Sequence, residues 1–587
     1  MRKRISFSGL GIAAASAAIA VGLHCAPLAA QDRFHSDRPG QVGDWQAPIN
    51  NDDDIRPSGT YDSSVESTDL TPVMADDGSG LPLELWQGMS VSTLEKLIAA
   101  IEIPPRSPAL HRLWLRLITA NLDAPAGANA NRQFLALRLE ILYRSGLIEE
   151  AQRLLETMPA DDPVVAVLAA RNAIAMGDEA RACEGLRAAK VSGQLPGPVM
   201  VDAALISGLC AALAQDAAGA GLAAELARDA GASGSPGLMA LDALAMGGKP
   251  GAAAAAGDAT VGLIDYRLIK LAGGEIDEKA LIKRASPALL ASLTRDRTVP
   301  LGARLAAGET ALKLNAITVE QLGELYRQLS PSDTVISDAQ GTDTPERRAA
   351  LFLVAERENT PQKKVRLIRA FLDEARHAEF YLAALRMVSP LSDTLHPAPE
   401  IGWYSETGVE VALAAGNFAK ARQWAAFGSD ANASVSGGRL DHWSALIDIA
   451  EGARPATEQD MRPLEDLAVQ GRLDAALLHR LATVLDALDY PVPLPLWERA
   501  SSTSQPAGGH LPETGVLTEL QDAAKKREFG RTVLLTMKTL GPNGAEGAHM
   551  IALGDSIRAL RRTGLAPDAH SLGFEALFTA WPRASSN

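Results

Sequence analysis

From Leu81 onward, apolar residues recur at three- and four-residue spacing, the mark of helices with one buried face. In the first run, Ser92-Thr93-Leu94-Glu95 stands before Leu97, Ile98 and Ile101, an order that predicts a capping box and a helix start; Pro104-Pro105 ends it. Ser107-Pro108 then predicts a second helix, with serine as cap, proline in the first turn, and Leu110, Leu113, Leu117 and Ile118 on one face. The same grammar continues nearly to the end of the chain, with alanine and leucine at helical spacing and breaks at glycine and proline. Runs of Val, Ile, Thr or aromatic residues long enough for strands are almost absent, so the pattern predicts an all-α protein.

Within that pattern a glycine is followed five positions later by alanine, each time inside a helix, turn, helix reading. The pairs are Gly146 with Ala151, Gly177 with Ala182, Gly416 with Ala421, and Gly564 with Ala569. Glycine can take the left-handed conformation that ends a first helix, and a small residue one turn into the second lets the two helices approach closely. A pair built this way leaves an apolar face that needs a neighbour, which predicts stacking into a solenoid. The first unit, with Gly146, Ala151, Leu155 and Pro163, resembles the tetratricopeptide repeat. It departs from that family at Leu139, where a small residue belongs, and the other units keep little beyond glycine and alanine. The resemblance covers about a quarter of the chain. It implies a degenerate helical superhelix whose curved surface takes protein or peptide partners, by fold-level analogy.

Breaks rich in turn formers at Ser330-Pro331-Ser332-Asp333 through Thr344-Pro345, and from Ser501 to Gly515, divide the helical body. Helical segments are therefore expected over 81–329, 346–500 and 516–582. Ahead of them, residues 31–80 hold eleven acids against Arg33, Arg38 and Arg56, with few apolar side chains, and read as a disordered acidic linker. Asn50-Asn51-Asp52-Asp53-Asp54 lacks the alternating ligands and turn glycine of a calcium loop and reads as solvated charge.

Residues 1–30 carry a basic start, Arg2-Lys3-Arg4, and an uncharged stretch rich in Ala, Gly, Ile and Leu, the form of a secretory signal peptide with cleavage near Ala30. Lipoprotein processing at Cys25 is disfavoured by His24, twin-arginine export by Lys3-Arg4, and a retained anchor by the Ser, Gly and Pro27 content. Later apolar tracts are broken by Asp216, Glu225 or Asp258, so no transmembrane span is expected after cleavage, and the expected location is the periplasm.

The net charge of −15 becomes −18 once Arg2, Lys3 and Arg4 leave, with no basic patch, which argues against nucleic acid as a partner. Removal of Cys25 leaves Cys183 and Cys210 on what read as consecutive antiparallel helices. They are candidates for a disulfide, with two buried free thiols as the alternative.

Motifs for chemistry fail on context. Gly219-Ala220-Gly221-Leu222-Ala223-Ala224 has dinucleotide-turn spacing but follows a helical reading instead of a strand, and Gly247-Gly248-Lys249 lacks the rest of a phosphate loop. His377-Ala378-Glu379 matches half of a zinc deaminase signature without its cysteines. Neither a metal site nor a cofactor is expected. Soluble lytic transglycosylases are similar in being exported and superhelical, yet the Glu-Ser dipeptide that the likeness requires occurs only as Glu66-Ser67, inside the acidic linker. Trp403, Trp424 and Trp443 cluster in sequence and are expected to be buried. The expectation is a non-enzymatic periplasmic scaffold or adaptor for a protein or peptide partner, with a glycan-active envelope enzyme as the alternative.

Overall fold

Helices account for all the regular structure of the described residues, where only isolated bridges such as Ser90 with Ala126 and His510 with Ala548 occur outside them. The computed structural model describes residues 81–127, 129–158, 162–189, 195–232, 234–247, 260–274, 276–330, 343–430, 439–453 and 457–583. The expected signal peptide, the acidic linker with its Glu66-Ser67, and the break over 331–342 lie outside them. No described helix is long and apolar enough to cross a membrane.

The first helix, Val91–Ala99, is capped two residues earlier than the capping box predicts: Ser90, in extended conformation, accepts from the Thr93 amide. Thr93 therefore lies inside the helix. Pro108–Thr119 begins as expected, with Ser107 accepting from Leu110 and buried Leu110, Leu113, Leu117 and Ile118 on one face.

Successive helices pair as antiparallel hairpins. Ala130–Arg144 packs on Ile148–Leu155, Pro163–Met176 on Glu179–Ala188, Ser405–Ala414 on Phe418–Ser429, and Met550–Thr563 on Ala566–Phe578. The glycines between them, Gly146, Gly177, Gly416 and Gly564, all have positive φ, and Ala151, Ala182, Ala421 and Ala569 are buried where the partner helix approaches. At Gly146 a side chain would also collide with a further layer, since a Cβ there would stand 2.7 Å from that of Ala316 and 2.8 Å from the Pro287 carbonyl oxygen.

Neighbouring hairpins touch through Pro163–Met176, which meets both helices of the preceding pair, and through Gly197–Leu213, which meets both Pro163–Met176 and Glu179–Ala188. Pro163–Met176, apolar almost all round, contacts Ala130–Arg144, Gly197–Leu213, Leu263–Leu271 and Pro287–Arg295. A helix with that composition has to be enclosed on several sides. A buried arginine at its centre, Arg171, pairs with Glu140 on one neighbour and Asp202 on the other and stacks on the Tyr143 ring at 3.9 Å. Each acid lies 31 residues from the arginine.

Cys183 and Cys210 are joined by a disulfide, with Cα atoms 5.6 Å apart, which ties Glu179–Ala188 to Gly197–Leu213.

All described residues fall in one unit spanning Ser67–Asn587. Its apolar interior is contiguous from Leu81 to Trp581, apart from a satellite that includes Val516, Leu520 and Leu535. Distant parts of the chain meet in it. Pro108–Thr119 lies against Phe529–Leu540 and Ala566–Phe578, and the Glu575 carboxylate accepts from the Ala109 amide at 2.8 Å, 466 residues away in sequence.

Candidate functional site

That meeting of distant segments opens a cleft of about 730 Å³, within the range usual for small-molecule and peptide sites. Its walls come from residues 106–108, 312–315, 376–383 and 543–583. Local sequence places each wall. Asn315, held at φ 54 in the turn after Leu301–Lys313, donates from its side-chain amide to the carbonyls of Pro105 and Arg106 at 2.9 and 3.0 Å. Glu379 occupies the left-handed position of the next wall's turn, where the Phe380 amide donates back to Ala375.

The chemistry of the mouth is mixed in sign. Arg106, Lys313 and Arg376 line it together with Glu379 and Glu546. Arg376 lies over the Tyr381 ring at 4.1 Å, and the Tyr381 hydroxyl donates to Glu410 at 2.7 Å. Burial raises the Tyr381 hydroxyl's pKa, and the Glu410 carboxylate raises it further. Arg583 donates to the same Glu410 at 3.0 Å, so a buried carboxylate fixes two side chains of the wall. Glu546 accepts from the Thr579 hydroxyl.

At the floor, Glu575 is buried and its carboxyl is pushed above the usual range by that burial, although the Ser107 hydroxyl and the Ala109 amide both favour its charged form. One turn along from Pro108 are His111 and Arg112, and one turn along from Leu382 is Arg386. None of these three side chains is among those that line the cleft. The Arg386 Nε donates to the Ala414 carbonyl at 3.0 Å, leaving both terminal nitrogens without partners among the described residues. Arg112 is exposed to solvent and makes no hydrogen bond or ion pair with a described residue. The His111 Nδ1 is out of reach of solvent and also has no partner among the described residues. Burial and the neighbouring guanidiniums Arg112 and Arg386 bring the His111 imidazole down to about 4. Burial and Arg112 lower Arg386 to about 10.

Of the residues singled out from sequence, few line this cleft. The four glycine and alanine pairs are turn elements, and Cys183 and Cys210 belong to a different part of the unit. Glu379, half of the deaminase-like triplet, is on the wall, whereas His377 ends the helix Pro361–His377. The Gly219 to Ala224 stretch lies inside Ala217–Asp229, after another helix. Trp424 and Trp443 are fully buried, but Trp403 is 42% exposed, against the expectation that all three are enclosed. Among the described residues no cluster of three or more metal-binding side chains occurs.

Compared with known proteins, the chain matches no family model, no curated protein and no solved structure.

His111, Arg112, Arg386 and Glu575 are absent from the sequence reading because they carry no motif. The usable signal was a lone charge in an apolar helical run, as in Leu385-Arg386-Met387 or Phe574-Glu575-Ala576. Such residues are seldom buried without a partner to meet.

Proposed function

We infer that this chain is a non-enzymatic helical-repeat scaffold of the bacterial envelope that holds a segment of a protein or peptide partner in the cleft. The observation that carries the reading is the cleft itself, which combines an open mouth with wall side chains fixed by one another. Arg376 on Tyr381, and Tyr381 and Arg583 on Glu410, form a preorganised rim of the kind that orders a bound chain with little further loss of freedom. A tetratricopeptide-like arrangement accords with the paired helices and with the 31-residue spacing of Glu140, Arg171 and Asp202. Periplasmic placement draws support from the leader-like first thirty residues and from the Cys183–Cys210 disulfide, which persists in an oxidising compartment.

A photoreactive side chain at Leu382 in the cleft, compared with one at exposed Leu222, tests the reading in cells. A discrete envelope protein should crosslink at Leu382, not at Leu222, and the adduct should weaken in Lys313→Glu. Equal labelling at both positions, or none at Leu382, rejects it.

Buried Glu575, with its raised carboxyl pKa at this cleft, favours a second reading as a glycan-active acid. That enzyme would release soluble fragments from peptidoglycan and lose the activity in Glu575→Gln. Failure of the wild-type chain to release fragments removes this alternative.

A further inference from the structure

We propose that the Cys183–Cys210 disulfide is a redox-sensitive strap. It holds the helix Glu179–Ala188 in place as one wall of a second groove, and its reduction releases that helix while the rest of the unit stays folded. The strap lies outside the cleft described above and acts whatever the cleft holds.

Glu179–Ala188 is lightly held by its own side chains. Those it buries are Ala182 and Leu186, whereas Ala180, Arg181, Glu184, Gly185, Arg187 and Ala188 are exposed. Its packing is on Pro163–Met176 and Gly197–Leu213, and the ion pair of Glu179 with Arg267, at 3.4 Å, anchors its first turn. Gly185 sits inside the helix with no neighbouring atom within 4 Å of where a Cβ would stand, so it lowers helix propensity without serving a close approach. A helix of this length draws its stability from the face it buries, and here that face is narrow. Gly197–Leu213, by contrast, is also enclosed by Ala217–Asp229, Pro236–Ala245 and Leu263–Leu271. The disulfide therefore joins a weakly anchored helix to a firmly anchored one.

Position gives the bond its consequence. A groove of about 450 Å³ is lined by Gln152 and Leu155 from one helix, Ala169 and Ala173 from Pro163–Met176, and Arg181 and Gly185 from Glu179–Ala188. Cys183 stands two residues from both Arg181 and Gly185, about 200° round the helix, so the strap grips the face turned away from the groove. No residue of Gly197–Leu213 lines the groove. The bond thus sets where the wall stands without entering the space it bounds.

Cys183 and Cys210 are each partly exposed, and exposed disulfides are the ones a thiolate can attack. The reductant is a dithiol. Its thiolate attacks one sulfur, forming a mixed disulfide and freeing the other cysteine; its second thiol then displaces the first cysteine. Two electrons and two protons pass to Cys183 and Cys210 as thiols, and the dithiol leaves as a disulfide.

Hydrogen exchange on the folded chain, before and after dithiothreitol, tests the proposal, with alkylation and mass mapping to establish that Cys183 and Cys210 have become thiols. Exchange in Glu179–Ala188 should quicken roughly tenfold or more on reduction, while Leu301–Lys313 and Phe529–Leu540 keep their rates. Oxidised glutathione should restore the slow exchange, and Cys183→Ser should show the fast exchange without reductant. Gly185→Ala, which strengthens the helix itself, should shrink the rise in the reduced chain. A bond that withstands dithiothreitol in the folded chain, or unchanged exchange in Glu179–Ala188 after reduction, would overturn the proposal. So would quickening that extends to Leu301–Lys313 and Phe529–Leu540, which would make the bond a staple of the whole unit, or a rise that Gly185→Ala leaves unmoved.

Discussion

A lone arginine in an apolar helix has to be met by acids, and Arg171 shows how completely this can be done. Its guanidinium reaches Glu140 and Asp202 and stacks on Tyr143, so the buried charge is compensated on three sides. Glu309 and Arg348 are similarly buried, with Arg348 Nε donating at 2.9 Å and the Tyr326 hydroxyl completing the carboxylate. His111 is the contrasting case, a titratable group enclosed among cations. Its folded pKa, about 4, lies below the ordinary value of 6.5, so the folded state binds the proton less well than the unfolded chain. Stability is then expected to decline as pH falls from 6.5 towards 4, with this residue accounting for about 3 kcal/mol. Urea midpoints of wild type and His111→Gln across that window check it. The variant should show a shallower decline, and parallel curves would contradict the assignment. His442 and His570 are lowered in the same direction, first by burial, and remain in both proteins.

At the scale of helix and turn, the same connection recurs well beyond its four glycine examples. Gln215, Asn315, Glu379, Asp489 and Arg527 also take the left-handed position, and the next amide donates five residues back, as from Asp216 to Ala211 and from Phe380 to Ala375. The small buried residue five places on persists at Ala220, Ala384 and Thr532. This explains why turns were legible at Gly146, Gly177, Gly416 and Gly564 and illegible in much of the middle of the chain. The geometry tolerates a side chain at modest strain, so glycine is a frequent solution and not a required one. Helix existence was readable from periodicity, whereas the first cap was misplaced because Ser90 and Ser92 offer equivalent hydroxyls two residues apart. The turns differ in how much space they leave. Gly177→Ala, with open space around the added methyl, should cost about 1 kcal/mol from backbone strain alone. Gly146→Ala adds collisions with Ala316 and Pro287 and should cost about 3 kcal/mol or more. Thermal or denaturant unfolding of the two variants measures the difference; equal losses would mean that the Gly146 turn is not pressed against the next layer.

Taken as a whole, the unit brings its early and late helices together through Arg116 with Asp568 and through Glu575 on the start of Pro108–Thr119. None of this was visible in sequence order, because the contributing residues are separated by hundreds of positions and each looks like an ordinary helix residue in its own neighbourhood. The cleft inherits that obscurity, since its walls come from four separated stretches. Glu575→Ala should destabilise by about 2 to 4 kcal/mol, through loss of an acceptor that caps a buried helix start. Hydrogen exchange should then quicken in Pro108–Thr119 as well as in Ala566–Phe578, and a change confined to the latter would disprove the coupling.

Synthesis gives the junction of early and late helices a temporal meaning. A nascent chain presents Pro108–Thr119 long before Ala566–Phe578 exists, and contacts of such wide separation form late and slowly. Until then the face of Pro108–Thr119 that meets Ala566–Phe578 lacks its final cover, which exposes an adhesive stripe to any chaperone or neighbouring chain nearby. Ribosomal products that stop short of residue 566 would keep that stripe open permanently, so quality control could distinguish them from full-length molecules by this one unburied helix.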